Sequence, residues 1–174
     1  MTIRLIDTHR AEVLMDATTV EPRLFRTVLG HFPTGVTVIT AARADGSPAG
    51  LTIGSFFSVS LEPPLVGFCV GKSSTTWPLI RVTGAFCANV LAGDQGEVCR
   101  QLAQGGEDKF RGVAWDTAPT GSPRIDGVLA WIDCEIDTVH DAGDHEICIG
   151  RVRTLAVERD STPYVFFRGT QLGY

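Results

Sequence analysis

Residues 128–139 and 145–157 are both rich in β-branched and aliphatic side chains, and Asp141-Ala142-Gly143-Asp144 separates them. A turn of that composition between two such runs closes an antiparallel hairpin. In the first run Ala130, Ile132, Cys134 and Ile136 alternate with Trp131, Asp133, Glu135 and Asp137, which gives one apolar and one polar face. Ile147, Ile149 and Val152 are among the apolar positions of the return strand. A chain that commits this much of its length to one hairpin is built on antiparallel sheet.

The remainder agrees. Residues 1–18 show neither strand nor helix periodicity and read as an arm, with one domain over residues 19–174. Pro22 suits the first turn of a short helix, and Leu24, Phe25, Val28, Leu29 and Phe32 form its apolar stripe, ended by Gly35. Residues 36–40 are β-branched and predict a strand. After the turn Asp45-Gly46-Ser47-Pro48, residues 51–60 predict a second strand, stopped by Pro63-Pro64, and residues 65–70 a third. Lys72-Ser73-Ser74-Thr75-Thr76-Trp77-Pro78 announces a helix N-terminus. Residues 85–91 form another buried strand, residues 94–104 a helix and residues 164–167 a last strand. Many short strands, few helices and no βαβ alternation predict a mostly β, antiparallel barrel.

Composition removes whole classes of function. A net charge of −5 with no block of Lys or Arg argues against binding of a nucleic acid backbone. No run approaches the ~18 apolar residues of a membrane span. The first residues lack a basic segment followed by an apolar run, so no secretory signal is read. The five cysteines lie mostly in apolar runs without CxxC spacing, which predicts buried thiols in a reducing cytoplasm. There is no G-x-G-x-x-G, no P-loop, no G-x-S-x-G and no histidine pair at metal-ligand spacing, so no metal site is expected.

Two segments could carry chemistry. The hydroxyls of residues 52–58, with Lys72 and the helix start after it, would suit an anionic phosphate. They also suit a strand surface and an N-cap, and spacing does not decide between these. The second segment is Gly143-Asp144-His145-Glu146. A histidine there can donate or accept a hydrogen bond near neutral pH, or simply face solvent at a turn.

Taken together and in order, several motifs resemble the short-chain flavin reductase family, the reductase components of two-component flavin-dependent monooxygenases. They are Phe32-Pro33-Thr34-Gly35-Val36-Thr37-Val38-Ile39-Thr40, the stretch 50–66, Phe86-Cys87-Ala88-Asn89-Val90-Leu91, Lys109-Phe110 and the stretch 143–152 beginning Gly143-Asp144-His145. The resemblance spans about residues 24–169.

It implies a split β-barrel (the FMN-binding, flavin reductase-like kind) that works as a homodimer. It also implies an NADH:flavin oxidoreductase that passes diffusible reduced flavin to a partner monooxygenase. FAD with NADH is the expected pair, with FMN and NADPH as alternatives, because no arginine cluster awaits a 2′-phosphate. A flavin-retaining oxidase and a non-catalytic flavin-binding protein are the competing readings. By the same resemblance Thr52, Gly54, Ser55 and Phe56 lie along the isoalloxazine. Cys69, Val70, Lys72, Ser73 and Ser74 hold the ribityl and phosphate, Asn89 and Phe110 complete the pocket, and His145 faces the nicotinamide. The chain departs from the family at Gly54, where many relatives carry Asn or Ser. It departs again at the tail, where Arg168-Gly169-Thr170-Gln171 replaces Arg-Gly-x-Tyr. Lys72 stands where the family varies, so its phosphate role rests on charge.

Overall fold

The computed structural model describes residues 20–106 and 108–172; the arm read at residues 1–18 lies outside them. The first half comprises α1 (Pro22–Leu29), β1 (Thr34–Gly35), β2 (Thr37–Ala42), β3 (Pro48–Ile53), β4 (Phe57–Leu61), β5 (Pro64–Gly71), α2 (Trp77–Arg81) and β6 (Ala85–Val90). Then follow α3 (Gly96–Ala103), β7 (Trp115–Thr117), β8 (Pro123–Ile125), β9 (Ala130–Ala142), β10 (His145–Val157), β11 (Val165–Phe167) and β12 (Thr170–Leu172).

Seven strands form the main antiparallel sheet in the order β3-β2-β6-β9-β10-β5-β4. The long hairpin is its spine, with Ala142 opposite His145 at the turn. Residues 51–60, expected as one strand, are two. β3 pairs with β2 as far as Ile53, and β4 pairs with β5 from Phe57. Residues 54–56 therefore cross from one edge of the sheet to the other without joining either ladder. This is the seam of the expected split barrel.

Both faces of the sheet are covered. One cluster gathers Ile39, Leu51, Phe68, Phe86 and Cys134 with Trp77 and Ile80 of α2. The other gathers Val38, Cys87, Leu91 and Trp131 with Cys99 and Leu102 of α3 and Ile125 of β8. The β7–β8 hairpin was not legible in the sequence, and it overturns the polar face expected on β9. Trp131 and Asp133 are buried, and Asp133 accepts hydrogen bonds from the amide and hydroxyl of Thr120 at 2.8 and 2.6 Å. Burial nonetheless raises the Asp133 carboxyl above its ordinary value. Glycine is required at position 150, because a Cβ there would stand 2.4 Å from the Phe86 ring.

The first helix is shorter than expected. Glu21 caps it by accepting from the amides of Arg23 and Leu24, and it ends at Gly30, not Gly35. Pro33 lacks an N–H and pushes Phe32 out of the helical region, and β1 instead pairs with β11. None of the stripe is buried: Leu24, Val28 and Leu29 are exposed, as are Phe25 at 56% and Phe32 at 71%.

Candidate functional site

Two clefts meet at Cys69, the only cysteine that is not buried. The first, about 450 Å³, lies between β3 and β5 and is closed by the loop 73–76, the end of α3, Lys109 and His145. The second, about 620 Å³ and mainly apolar, opens at the seam between Phe32-Pro33 and residues 54–57. Of the expected residues, Thr52, Cys69, Val70, Ser73, Ser74 and His145 line the first. Gly54, Ser55 and Phe56 line the second, with Cys69 again.

Three expected residues are not brought to these clefts. Lys72 turns away, pairing with Asp141 and donating to the Gly143 carbonyl at 2.6 Å. It braces the hairpin turn, and the Asp141 carboxyl is held below its ordinary value chiefly by that hydrogen bond. Asn89 is fully buried. Its Nδ2 donates towards Val38 O, Thr40 Oγ1 and Cys87 O at 3.0–3.2 Å, and its Oδ1 accepts from Ile125 N at 2.8 Å. That network ties β2, β6 and β8 together and leaves nothing for a ligand. Phe110 packs its ring over Gly50, where a Cβ would come within 2.9 Å.

Other residues keep their place with altered roles. The Thr52 hydroxyl donates to Cys99 O at 3.1 Å. The Ser55 hydroxyl donates to Cys69 O and accepts from Cys69 N, stitching the seam to β5. Gly54 has its own reason: a Cβ would meet Thr34 Oγ1 at 2.8 Å. Ser74 Oγ accepts from Trp77 N at 3.1 Å and so anchors the loop to α2. Because α2 has only five residues, its dipole offers little to an anion.

A cation at the first cleft is Lys109, whose motif Lys109-Phe110 gives its lysine no role by sequence alone. Its Nζ donates to Thr76 Oγ1 at 3.0 Å and towards the carbonyls of Gly50 and Leu102. Among the described residues no carboxylate pairs with it. Burial pulls its ammonium below the ordinary lysine value, so a bound anion would relieve the unpaired charge. The only advance signal was the Lys109-Phe110 pair itself, in a loop whose direction no periodicity could set.

His145 sits at the opposite wall. Asp144 Oδ1 holds its Nδ1 at 2.7 Å, and Nε2 lies over Gly71 at the cleft. The hydrogen bond to His145 is the main cause that keeps the Asp144 carboxyl below its usual range. Elsewhere burial pushes the Cys87 and Cys148 thiols up to about 12 and raises Cys134 also, so these stay neutral. No group of metal-ligating side chains occurs among the described residues, and no helix there is long and apolar enough to cross a membrane.

This arrangement has known relatives. A flavin reductase from Pseudomonas putida is 48% identical over 94% of this chain and 95% of its own length. Nitrilotriacetate monooxygenase component B from Mycobacterium thermoresistibile superposes with a TM-score of 0.84 at 45% identity, covering 87% of this chain and 86% of that one. A Streptomyces globisporus NADH:FAD oxidoreductase, solved with NAD and FAD fragments, gives 0.82 at 35% identity, covering 91% and 97%. The model of the flavin reductase like domain matches residues 29–173. The chain therefore belongs to the flavin reductase-like domain family.

Proposed function

We propose that this protein is an NADH-dependent flavin reductase that takes FAD, accepts FMN less well, and releases reduced flavin to a separate monooxygenase. The observation that carries the reading is the continuous surface from an apolar cleft, past Cys69, to hydroxyls and a lysine that no carboxylate pairs among the described residues. A flavin has that same order of parts: a flat ring, a polyol and a phosphate. Residues 54–56 offer backbone groups free of either strand ladder to the ring edge. Ser73, Ser74 and Lys109 offer donors to the phosphate, and the relatives' names supply the nicotinamide and the monooxygenase. Flavin, when bound, accepts hydride from a reduced nicotinamide. The chain's residues orient the two rings, and His145, fixed by Asp144, presents Nε2 to the incoming nicotinamide. Rapid NADH oxidation on addition of FAD is expected. No oxidation with either flavin would overturn the reading.

His145→Ala should lower kcat/KM for NADH between several-fold and roughly a hundredfold, the worth of one neutral or charged hydrogen bond. Flavin affinity and melting temperature should be unchanged, because half of the side chain is exposed. Stopped-flow reduction of bound FAD is the measurement. Wild-type rates at every NADH concentration would make His145 a turn residue only.

The same reading includes a homodimer. The bare α1 stripe adjoins the apolar cleft through Phe32. The edge strand β4 exposes Phe57, Val59 and Leu61, a liability that a twofold partner would cover. Light scattering should give twice the chain mass, and Phe25→Ser with Phe32→Ser should shift it towards the monomer. A monomeric wild type with full activity would refute this.

A further inference from the structure

Lys109 and Thr76 form a partition, with a further cleft of about 310 Å³ on its far side. Its walls are Pro48 and Gly50 of β3, Thr75, Thr76, Lys109 and Arg43. Arg43 is the notable member, because its Nε is buried and has no hydrogen-bond partner. Asp45, the acid two residues away, accepts from both the amide and the hydroxyl of Ser47 and forms no ion pair with Arg43. Beyond Arg43 the surface continues into a hollow lined by Pro48, Phe110 and Trp115, the last 37% exposed.

The geometry points to an adenosine-phosphate subsite in this cleft, with Arg43 as the residue that selects FAD over FMN. The inference rests on the flavin reading above. Linear order supports it. β3 runs from Pro48 to Ile53, and the clefts follow it end to end, at ~3.3 Å per residue. The first phosphate at Ser73, Ser74 and Lys109 leaves only the far side of Lys109 for a second phosphate. An arginine fork with an unused N–H suits a phosphate oxygen. The adenine that follows would reach Trp115, whose partly exposed indole lines the hollow and suits a flat heterocycle. FMN ends at the first phosphate and never meets Arg43.

An adenosine phosphate could also come from the nicotinamide nucleotide, and the test separates the two. Fluorescence titrations compare FAD and FMN binding to wild type, Arg43→Ala and Trp115→Ala, with NAD⁺ titrated into the FMN-loaded proteins. FAD affinity should fall about tenfold or more in Arg43→Ala, the loss expected for one charge-assisted contact. It should fall less in Trp115→Ala, with FMN and NAD⁺ unchanged in both. Equal weakening of FAD and FMN, no change in either, or weakening of NAD⁺ alone would each overturn the assignment. If wild type bound neither flavin, the proposed function would fail instead.

Discussion

Asn89→Ala should cost about 2–4 kcal/mol of stability while leaving the flavin site's chemistry in place. The substitution strips the acceptor from a buried amide, Ile125 N, and the donors from three buried oxygens. Each buried group left unsatisfied costs roughly 1–3 kcal/mol, and the vacated volume adds to this because the surrounding strands relax only in part. The Thr40 hydroxyl softens the loss, since its one proton is shared between Cys87 O at 3.1 Å and the Pro123 carbonyl. In a domain of this size the change lowers the melting temperature by on the order of 10 °C. Asn89→Asp should be at least as harmful, because a carboxylate cannot donate to Val38 O and Cys87 O. Calorimetry with and without saturating FAD distinguishes a structural from a ligand-binding asparagine. A folded, wild-type-stable variant with weakened FAD binding would return Asn89 to the site.

Lys109→Met should weaken binding of both FAD and FMN by about tenfold to a hundredfold, corresponding to roughly 1.5–3 kcal/mol for a charge-assisted contact to phosphate. The effect should be largest at low ionic strength, since the ammonium is partly open to solvent. Lys72→Met is the matched control, removing the same charge from a residue spent on Asp141 and the Gly143 carbonyl. It should bind flavin as wild type does. The pH dependence follows from the sign of the shift. Burial lowers the Lys109 ammonium, so its charge is lost at a lower pH than for a free lysine. A phosphate favours the charged form, so affinity should decline as pH rises through that lowered value. Lys109→Met should lack this alkaline decline. Equal losses in the two lysine variants, measured by flavin fluorescence titration, would refute the assignment.

The proposed exchange of Lys72 for Lys109 as the phosphate's cation shows how far a local reading reaches. Lys72 precedes a run of hydroxyls and a helix start, so charge and sequence proximity favoured it. Yet β5 ends at Gly71, where it pairs with His145, and this carries Lys72 onto the hairpin turn beside Asp141 and Gly143. Lys109 is more than thirty residues further on, in a loop without periodicity. The packing of Phe110 on Gly50 and the Gln101 amide, which donates to the carbonyls of Lys109 and Arg111, draw it across the cleft.

What the amino-acid sequence determined by itself was the local and periodic part. The long hairpin, the β-branched strands and the cleft hydroxyls follow from side-chain alternation and turn chemistry, which act between near neighbours in the chain. The ordered motifs from Phe32-Pro33-Thr34-Gly35 to Gly143-Asp144-His145 extended this to the family. The tertiary structure alone decided which faces are dry and which groups are spent. Trp131 and Asp133 read as a polar face because nothing local announces that β7, β8 and α3 will cover it. Asn89 read as a pocket residue, and only the meeting of β2, β6 and β8 turns all its hydrogen bonds inward. The break at residues 54–56 has the same origin. The stretch 51–60 reads as one strand by composition, but β2 and β5 lie on opposite sides of the seam, and the chain must leave one ladder before it can join the other.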